Sequence, residues 1–168
     1  EVVFARECTP EQREEAFRRA EFIFGQPKPE DLHRAEKLRM IQMSWAGADL
    51  YTKAPAMPEG VQVACASGAY GGVIAEYIIG GILAMYRHLP QYVRQQDRLD
   101  WKPVVPSRGI AGKTVLILGA GDIGTALARR LRPFGPAQIV GVRRTRRETP
   151  PEFDRMETLE ALPELLRK

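Results

Sequence analysis

The chain is poor in cysteine and histidine, with two of each in 168 residues. Cys8 and Cys65 lie far apart and form no CxxC pair, so the disulfide-rich, zinc-finger and dithiol-redox classes are excluded. We interpret both cysteines as small apolar residues in a reducing compartment. His33 and His88 each lie in a charged helical context, which predicts surface positions rather than catalytic or metal-binding roles. No metal site is expected.

The sequence also has no hydrophobic run long enough to span a bilayer. The longest apolar stretch, Val73–Tyr86, contains Glu76 and two glycines and falls short of the roughly 20 residues that a spanning helix needs. No signal-peptide pattern opens the chain. The net charge of +4 is only mildly basic, which is weak evidence for nucleic acid binding. We expect a soluble, cytoplasmic protein with neither a membrane nor a nucleic acid as partner.

What the sequence does contain is an alternation of short apolar runs and amphipathic segments. This alternation is typical of an α/β fold with parallel strands and crossover helices. Strands are predicted at Val2–Ala5, Phe22–Phe24, Met40–Ser44, Val61–Cys65, Thr114–Leu118 and Gln138–Val142. Helices are predicted at Pro10–Ala20 (with Thr9 as N-cap), Pro29–Lys37, Gly71–Leu89, Ile123–Arg132 and Thr158–Arg167.

The predicted helix over Gly71–Leu89 is apolar around much of its surface, with Ile74, Ile78, Ile82 and Met85 on one face. Such a helix is expected to be buried by a neighbouring domain or subunit. A polar segment, Gln91–Asp100, follows it and leads into a proline-bearing stretch. We interpret that stretch as a link between two domains.

A G-x-G-x-x-G pattern, Gly119-Ala120-Gly121-Asp122-Ile123-Gly124, follows an apolar strand and precedes an Ala/Leu-rich helix. That context is typical of a Rossmann dinucleotide-binding turn. Gly119 would permit the turn, Gly121 would let the backbone approach a pyrophosphate, and Gly124 would let the helix pack close to the strand. The N–H groups around Asp122–Gly124 would face the phosphates. A ligand-free βα turn and a methyltransferase-type site are the alternatives.

The end of the next strand bears on the choice of cofactor. An acidic residue there would bind the ribose 2′-hydroxyl of NAD. The sequence instead has Arg143-Arg144-Thr145-Arg146-Arg147, with no Asp or Glu before Glu148. Arginine pairs bidentately with phosphate oxygens, which favours NADP over NAD. We favour Arg143 and Arg144 because they lie nearest the strand end; a solvated basic loop is the alternative.

Taken together, these motifs resemble the D-isomer-specific 2-hydroxyacid dehydrogenases, a family that includes glyoxylate/hydroxypyruvate reductases and phosphoglycerate dehydrogenases. The stretches that carry the resemblance are Leu38–Asp49, Ser67–Tyr77, Trp101–Lys113 and Val115–Gly124. The resemblance implies a flavodoxin-like substrate-binding domain over residues 1–105, lacking its first strand and including the interdomain helix 71–89. Residues 106–168 would then form the N-terminal part of a Rossmann NAD(P)-binding domain.

The resemblance also implies roles for particular residues. Backbone N–H groups of Ala46-Gly47-Ala48 would hold a substrate carboxylate, as a glycine-bearing turn after a strand can. Trp45 would form a wall of this site or serve as a partly buried anchor. Gly68 and Tyr70 would line the site near the nicotinamide. Cofactor contacts are expected from Gly119, Gly121, Asp122, Ile123, Gly124, Arg143, Arg144 and Thr145.

By resemblance, the protein is an oxidoreductase that transfers a hydride between NAD(P)H and a small 2-oxo or 2-hydroxy acid. The family's catalytic arginine, glutamate and histidine match no residue of this chain, so we expect a segment of a protein of roughly 300 residues that is inactive alone. Glu76 is interpreted as a capping or packing residue. A homodimer is expected. The alternative is an NAD(P)-sensing binding module or corepressor without catalysis, and nucleic acid binding through Arg143–Arg147 is a weaker one.

Overall fold

The computed structural model describes residues 2–52 and 57–167. The chain forms two compact units that divide between Ala69 and Tyr70. The α-helices are α1 (Pro10–Arg19), α2 (Asp49–Thr52), α3 (Gly71–Tyr86), α4 (Leu89–Asp97), α5 (Asp122–Leu131) and α6 (Leu162–Leu165). The strands are β1 (Phe22–Phe24), β2 (Met40–Gln42), β3 (Gln62–Ala64), β4 (Thr114–Leu118), β5 (Gln138–Arg143) and β6 (Arg155–Thr158).

The first unit is built on a parallel sheet in the order β1-β2-β3. Its core is a cluster of buried apolar residues from the strands and the segments between them. The cluster comprises Leu32, Ala35, Leu38, Ile41, Met43 and Tyr51. Helix α1 begins with a capping box, in which Thr9 and Gln12 each bond the other's backbone N–H. The predicted start of this helix is therefore confirmed.

The second unit carries another parallel sheet, in the order β4-β5-β6. Helix α3 packs along α5, and both contribute to one buried cluster with the sheet. Gly141 of β5 leaves room for Phe153 of the same cluster, because a Cβ at Gly141 would lie 2.9 Å from the Phe153 ring. Both sheets are parallel, so the predicted α/β class is confirmed.

The predicted strand at Val2–Ala5 is wrong. Residues 2–4 are irregular and exposed, and a 3-10 helix follows at Ala5–Glu7. Within the described residues, this segment pairs with no strand. An apolar run becomes a strand only where a neighbour satisfies its backbone N–H and C=O groups, and this one has no such neighbour.

The helix predicted over Pro29–Lys37 is shorter and tighter than expected. It is a 3-10 helix over Pro29–Arg34. The chain leaves the helical conformation at Ala35, where φ is −87° and ψ is 77°. Leu32, Ala35 and Leu38 are all buried in the first core. Tertiary packing of these residues, rather than local helical periodicity, therefore sets where the helix ends.

The polar segment Gln91–Asp100, which leads into the proline-bearing link, is largely helical. Helix α3 ends at Tyr86, and α4 begins at Leu89, so two residues separate them. The break is at His88, which is left-handed with φ of 57°. Pro90 lies in the first turn of α4, where its missing N–H costs nothing.

The predicted C-terminal helix, Thr158–Arg167, is also wrong in part. Strand β6 occupies Arg155–Thr158, a 3-10 helix follows at Leu159–Ala161, and α6 covers four residues. Met156 packs against the second core, which explains why this polar-looking segment is a strand. Tertiary packing again decides the structure of a short segment.

By packing, α3 and α4 belong with the second unit, whereas the proline pattern predicts a division at residues 105 and 106. The partner that buries α3 is α5 of the same unit. The buried face includes Ala75 and Ile79, while Met85 is 73% exposed, contrary to its predicted place on the buried face. None of the helices in the described part of the chain has the length and apolar character that crossing a bilayer requires.

Candidate cofactor and substrate sites

The glycine turn lies between β4 and α5, at the carboxyl end of the sheet. Gly119 has φ of +99°, a conformation that side chains rarely adopt. The N–H groups of Gly119 and Ala120 both donate to the carbonyl oxygen of Val142, at 3.0 and 3.4 Å. These bonds fix the turn against the end of β5.

Gly124 is required by close packing. A Cβ at this position would overlap the carbonyl oxygen of Gly119 and lie 3.2 Å from Ile117 Cγ2. Gly121 differs, because a Cβ there would meet nothing within 4 Å. The protein itself thus demands glycine at 124 but leaves open space beside 121. Open space at 121 is what a ligand lying against the backbone would need.

The first turn of α5 presents N–H groups to this space. Its first backbone bond runs from Thr125 N–H to Gly121 O, at 2.9 Å. The N–H groups that precede Thr125 in the helix therefore have no intrahelical acceptor. They lie at the positive end of the helix dipole, which favours an anion.

A cleft of about 390 Å³ opens beside the turn. Of the predicted cofactor residues, it is lined by Gly119, Gly121, Arg143, Arg144 and Thr145. Ala120, Val142, Arg147 and Leu159 complete its lining. Asp122, Ile123 and Gly124 do not line the cleft, and the Asp122 carboxylate instead lies close to Gly71 at the start of α3.

The arginines of the cleft differ in their bonding. Arg143 is half-buried, and its guanidinium donates a hydrogen bond to the carbonyl oxygen of Ala120. Arg144 and Arg147 are exposed and form no ion pair within the described residues. Arg146 is also exposed but does not line the cleft. The described cleft lining contains no acidic residue, so the cleft is electropositive.

The predicted substrate turn lies at the carboxyl end of β2, in the first unit. Trp45 O accepts a hydrogen bond from Ala66 N–H, at 2.9 Å, so the turn is joined to the segment that follows β3. Among the described residues, no acceptor takes up the N–H groups of Ala46, Gly47 or Ala48. Three successive donors on an exposed turn form a place where an anion can bind.

The remaining predicted residues lie after β3 and at the start of α3. Gly68 is exposed, with φ of +91°, at the same edge of the first sheet as the substrate turn. Trp45 is 48% exposed, so about half of its surface is buried, which fits either role predicted for it. Tyr70 is 42% exposed and is the residue that precedes α3 in the second unit.

The titratable residues for which the sequence predicts no catalytic role each contact another part of the protein. Glu76 forms an ion pair with Arg130 of α5, at 3.4 Å, as expected of a packing residue. A ring nitrogen of His88 lies 2.9 Å from Pro106 O, and one of His33 lies 2.6 Å from Glu30 O. Within the described residues, no group of three or more His, Cys, Asp or Glu could hold a metal ion.

Comparison with known proteins agrees with this geometry. Residues 79–168 match the D-isomer specific 2-hydroxyacid dehydrogenase, NAD binding domain. The chain belongs to this family. A D-isomer specific 2-hydroxyacid dehydrogenase family protein from Aeromonas salmonicida has a similar structure, with a TM-score of 0.80 and 33% identity over 91% of this chain and 49% of that one.

Two further relatives bear on the site. A family member from Xanthobacter autotrophicus, solved in complex with NADPH and MES, has a TM-score of 0.70 and 27% identity over 86% of this chain and 45% of that one. Mouse glyoxylate reductase/hydroxypyruvate reductase is 31% identical over 58% of this chain and 31% of its own length. The chain spans less than half the length of these relatives.

The family match assigns residues 79–168, within the second unit, to the NAD binding domain of this family. Sequence reasoning found its glycine turn but missed Arg147 and Leu159 as cleft residues. Leu159 follows β6, the strand that the sequence pattern did not reveal. Arg147 lies in the basic run and could be placed only once the path of the chain after β5 was known.

Proposed function

We propose that the protein is an NADP-dependent oxidoreductase that reduces small 2-oxo acids to 2-hydroxy acids. The observation that carries the proposal is the electropositive cleft beside the glycine turn, lined by Arg143, Arg144 and Arg147. When bound, the nicotinamide would supply a hydride to C2 of the 2-oxo acid, whose carbonyl oxygen would take up a proton to give the 2-hydroxy acid. The residues of this chain contribute groups that bind cofactor and substrate, and we assign no catalytic residue among them.

The glycine turn and the cleft fit a 2′-phosphorylated dinucleotide. The open space at Gly121 and the N–H groups of Asp122, Ile123 and Gly124 suit a pyrophosphate. The exposed guanidinium groups and the Thr145 hydroxyl suit a phosphate on the ribose. A neutral 2′-hydroxyl would leave several like charges of the cleft without a counter-charge.

The turn at Ala46–Ala48 fits the carboxylate of a 2-oxo acid. Its three N–H groups carry no internal acceptor in the described part of the chain, and Gly47 leaves the space above them open. Trp45 is exposed beside the turn and would pack against a small substrate. Gly68, at the same edge of the first sheet, is proposed to line the same substrate site. The role of Tyr70 stays a prediction from the resemblance.

The proposal is tested by assaying the intact protein with glyoxylate, hydroxypyruvate and bulkier 2-oxo acids, each with NADPH and with NADH. We expect oxidation of NADPH with the small acids at rates above those with NADH. If NADPH binds but no 2-oxo acid supports its oxidation, the protein is a cofactor-sensing module rather than an enzyme. If neither cofactor binds, the proposal is wrong.

We also expect a cytoplasmic homodimer. The free thiols of Cys8 and Cys65 suit a reducing compartment. On the second unit, Val73, Tyr77 and Met85 expose apolar side chains along α3, and Tyr77 is 84% exposed. A second copy of the chain would bury such a patch in a twofold interface. The molar mass in solution, compared with that of Tyr77→Glu, tests this: a monomeric wild-type protein would contradict it.

A further inference from the structure

The four arginines that follow Val142 are not equivalent in the structure, although the sequence offers them as one cluster. Arg143 is the last residue of β5, and its guanidinium donates to the carbonyl oxygen of Ala120 in the glycine turn. Arg144 and Arg147 line the cleft without an ion pair in the described chain. Arg146 is exposed and lies outside the cleft lining.

The bond made by Arg143 completes a connection between β5 and the glycine turn. Val142 O already accepts hydrogen bonds from the N–H groups of Gly119 and Ala120. Ala120 itself is fully buried, so its carbonyl oxygen needs a donor from the protein. Arg143 supplies that donor, and its charge makes the hydrogen bond stronger than a neutral one.

The guanidinium of Arg143 thus lies at the glycine turn, where the proposed function puts the pyrophosphate that NADP and NAD share. We propose that Arg143 is a positioning residue that fixes the glycine turn and supports both cofactors equally, whereas Arg144, Thr145 and Arg147 select for the 2′-phosphate. This assignment rests on the proposed NADP-dependent function. It places Arg147, which is farther along the chain, above Arg143 as a determinant of cofactor choice.

The test is a pair of binding titrations with the intact protein, one with NADPH and one with NADH. Arg143→Ala is expected to weaken the binding of NADPH and of NADH by about tenfold each. The ratio of the two dissociation constants should stay within about twofold of the wild-type ratio. Arg147→Ala is expected to weaken NADPH binding by about tenfold and NADH binding by less than about twofold. Arg146→Ala is the matched control and should change neither.

Arg143→Lys provides a second variant, because it keeps a cationic donor on a flexible stem. It should recover part of the loss in both affinities, which a purely hydrophobic packing role would not predict. The assignment is overturned if Arg143→Ala weakens NADPH alone, or if it lowers the melting temperature and leaves both affinities unchanged. A wild-type protein that binds both cofactors equally would contradict the NADP proposal, yet the paired loss in Arg143→Ala would still support the positioning role.

Discussion

The glycines of the two units serve different purposes. In the first unit, a Cβ added at Gly25, Gly47, Gly60 or Gly68 would meet nothing within 4 Å. In the second unit, a Cβ at Gly124 or Gly141 would collide with neighbouring atoms. At Gly124, in the cofactor turn, glycine is thus imposed by the protein's own packing, whereas Gly121 of the same turn has open space beside it. Around the substrate turn, steric packing does not impose it, and any demand for space comes from the ligand.

Among the substitutions that test this comparison, Gly124→Ala is expected to have the largest effect on stability and cofactor binding. The added methyl group would overlap the Gly119 carbonyl, and helix α5 could not stay close to β4. We expect the free energy of unfolding to fall by about 3 kcal/mol, with loss of cofactor binding. Denaturant unfolding and a cofactor titration would measure these two effects.

The control for that substitution is Gly121→Ala, which has open space around the added methyl group. It should weaken cofactor binding and change the free energy of unfolding by less than about 0.5 kcal/mol. If Gly121→Ala binds cofactor as well as the wild type does, the pyrophosphate does not lie against residue 121. If both substitutions leave stability unchanged, the packing account of the turn is wrong.

A smaller loss is expected from Gly141→Ala in β5. Its Cβ would lie 2.5 Å from Met156 Sδ and 2.9 Å from the Phe153 ring. Methionine can move, but the buried phenylalanine has less freedom, so we expect a destabilisation of about 1 to 2 kcal/mol. Thermal unfolding measures this loss. Pairing the substitution with Met156→Ala should restore part of the stability, and an unchanged deficit would place the strain elsewhere.

Acid is expected to act on the second unit through Asp154. Arg132, with a hydrogen bond at 2.9 Å, and the N–H of Ile139 hold the pKa of Asp154 below its ordinary value. A lowered folded-state pKa stabilises the protein above the unfolded-state value, which is about 3.9, and this contribution is lost as pH falls through the folded-state value.

The corresponding variant is Asp154→Asn, compared with the wild type between pH 7 and pH 3. Because the side chain is 37% exposed, we expect it to lower stability by less than about 1 kcal/mol at neutral pH. The difference should shrink as pH falls below the unfolded-state pKa. A difference that stays constant over this range would show that the charge of Asp154 does not contribute.

The smallest effect is expected from Gly47→Ala in the first unit. With open space around the added methyl group, stability should change by less than about 0.5 kcal/mol. If the turn binds a carboxylate, the Michaelis constant for the 2-oxo acid should rise while cofactor affinity stays the same. A large loss of stability would contradict the distinction between the two turns.

The contrast between the units also explains what could be predicted from the sequence. The turn at Gly119–Gly124 was predictable because steric demands fix its residue types and spacing. The turn at Ala46–Ala48 carries no such demand and was found only through a resemblance. Predictions for short segments were wrong where tertiary contacts decide the structure. The examples are Val2–Ala5, Pro29–Lys37 and Arg155–Thr158.

The distinct roles of the arginines lay outside the reach of the sequence for a related reason. Arg143 and Arg147 are of one residue type in one basic run, and only the path of the chain separates them. The bond from Arg143 to Ala120 spans 23 residues, a distance over which no local pattern gives information. The sequence predicts that β5 runs parallel to its neighbour, but it does not predict the hydrogen-bond partner of each guanidinium.

The central claim is that the cleft beside the glycine turn binds a 2′-phosphorylated dinucleotide. Its most direct test is calorimetric titration of the intact protein with NADPH and with NADH, at low and at high salt. We expect NADPH to bind about tenfold more tightly at low salt, with the difference shrinking as salt screens the arginines. Equal affinities at low salt, or no binding of either cofactor, would contradict the claim.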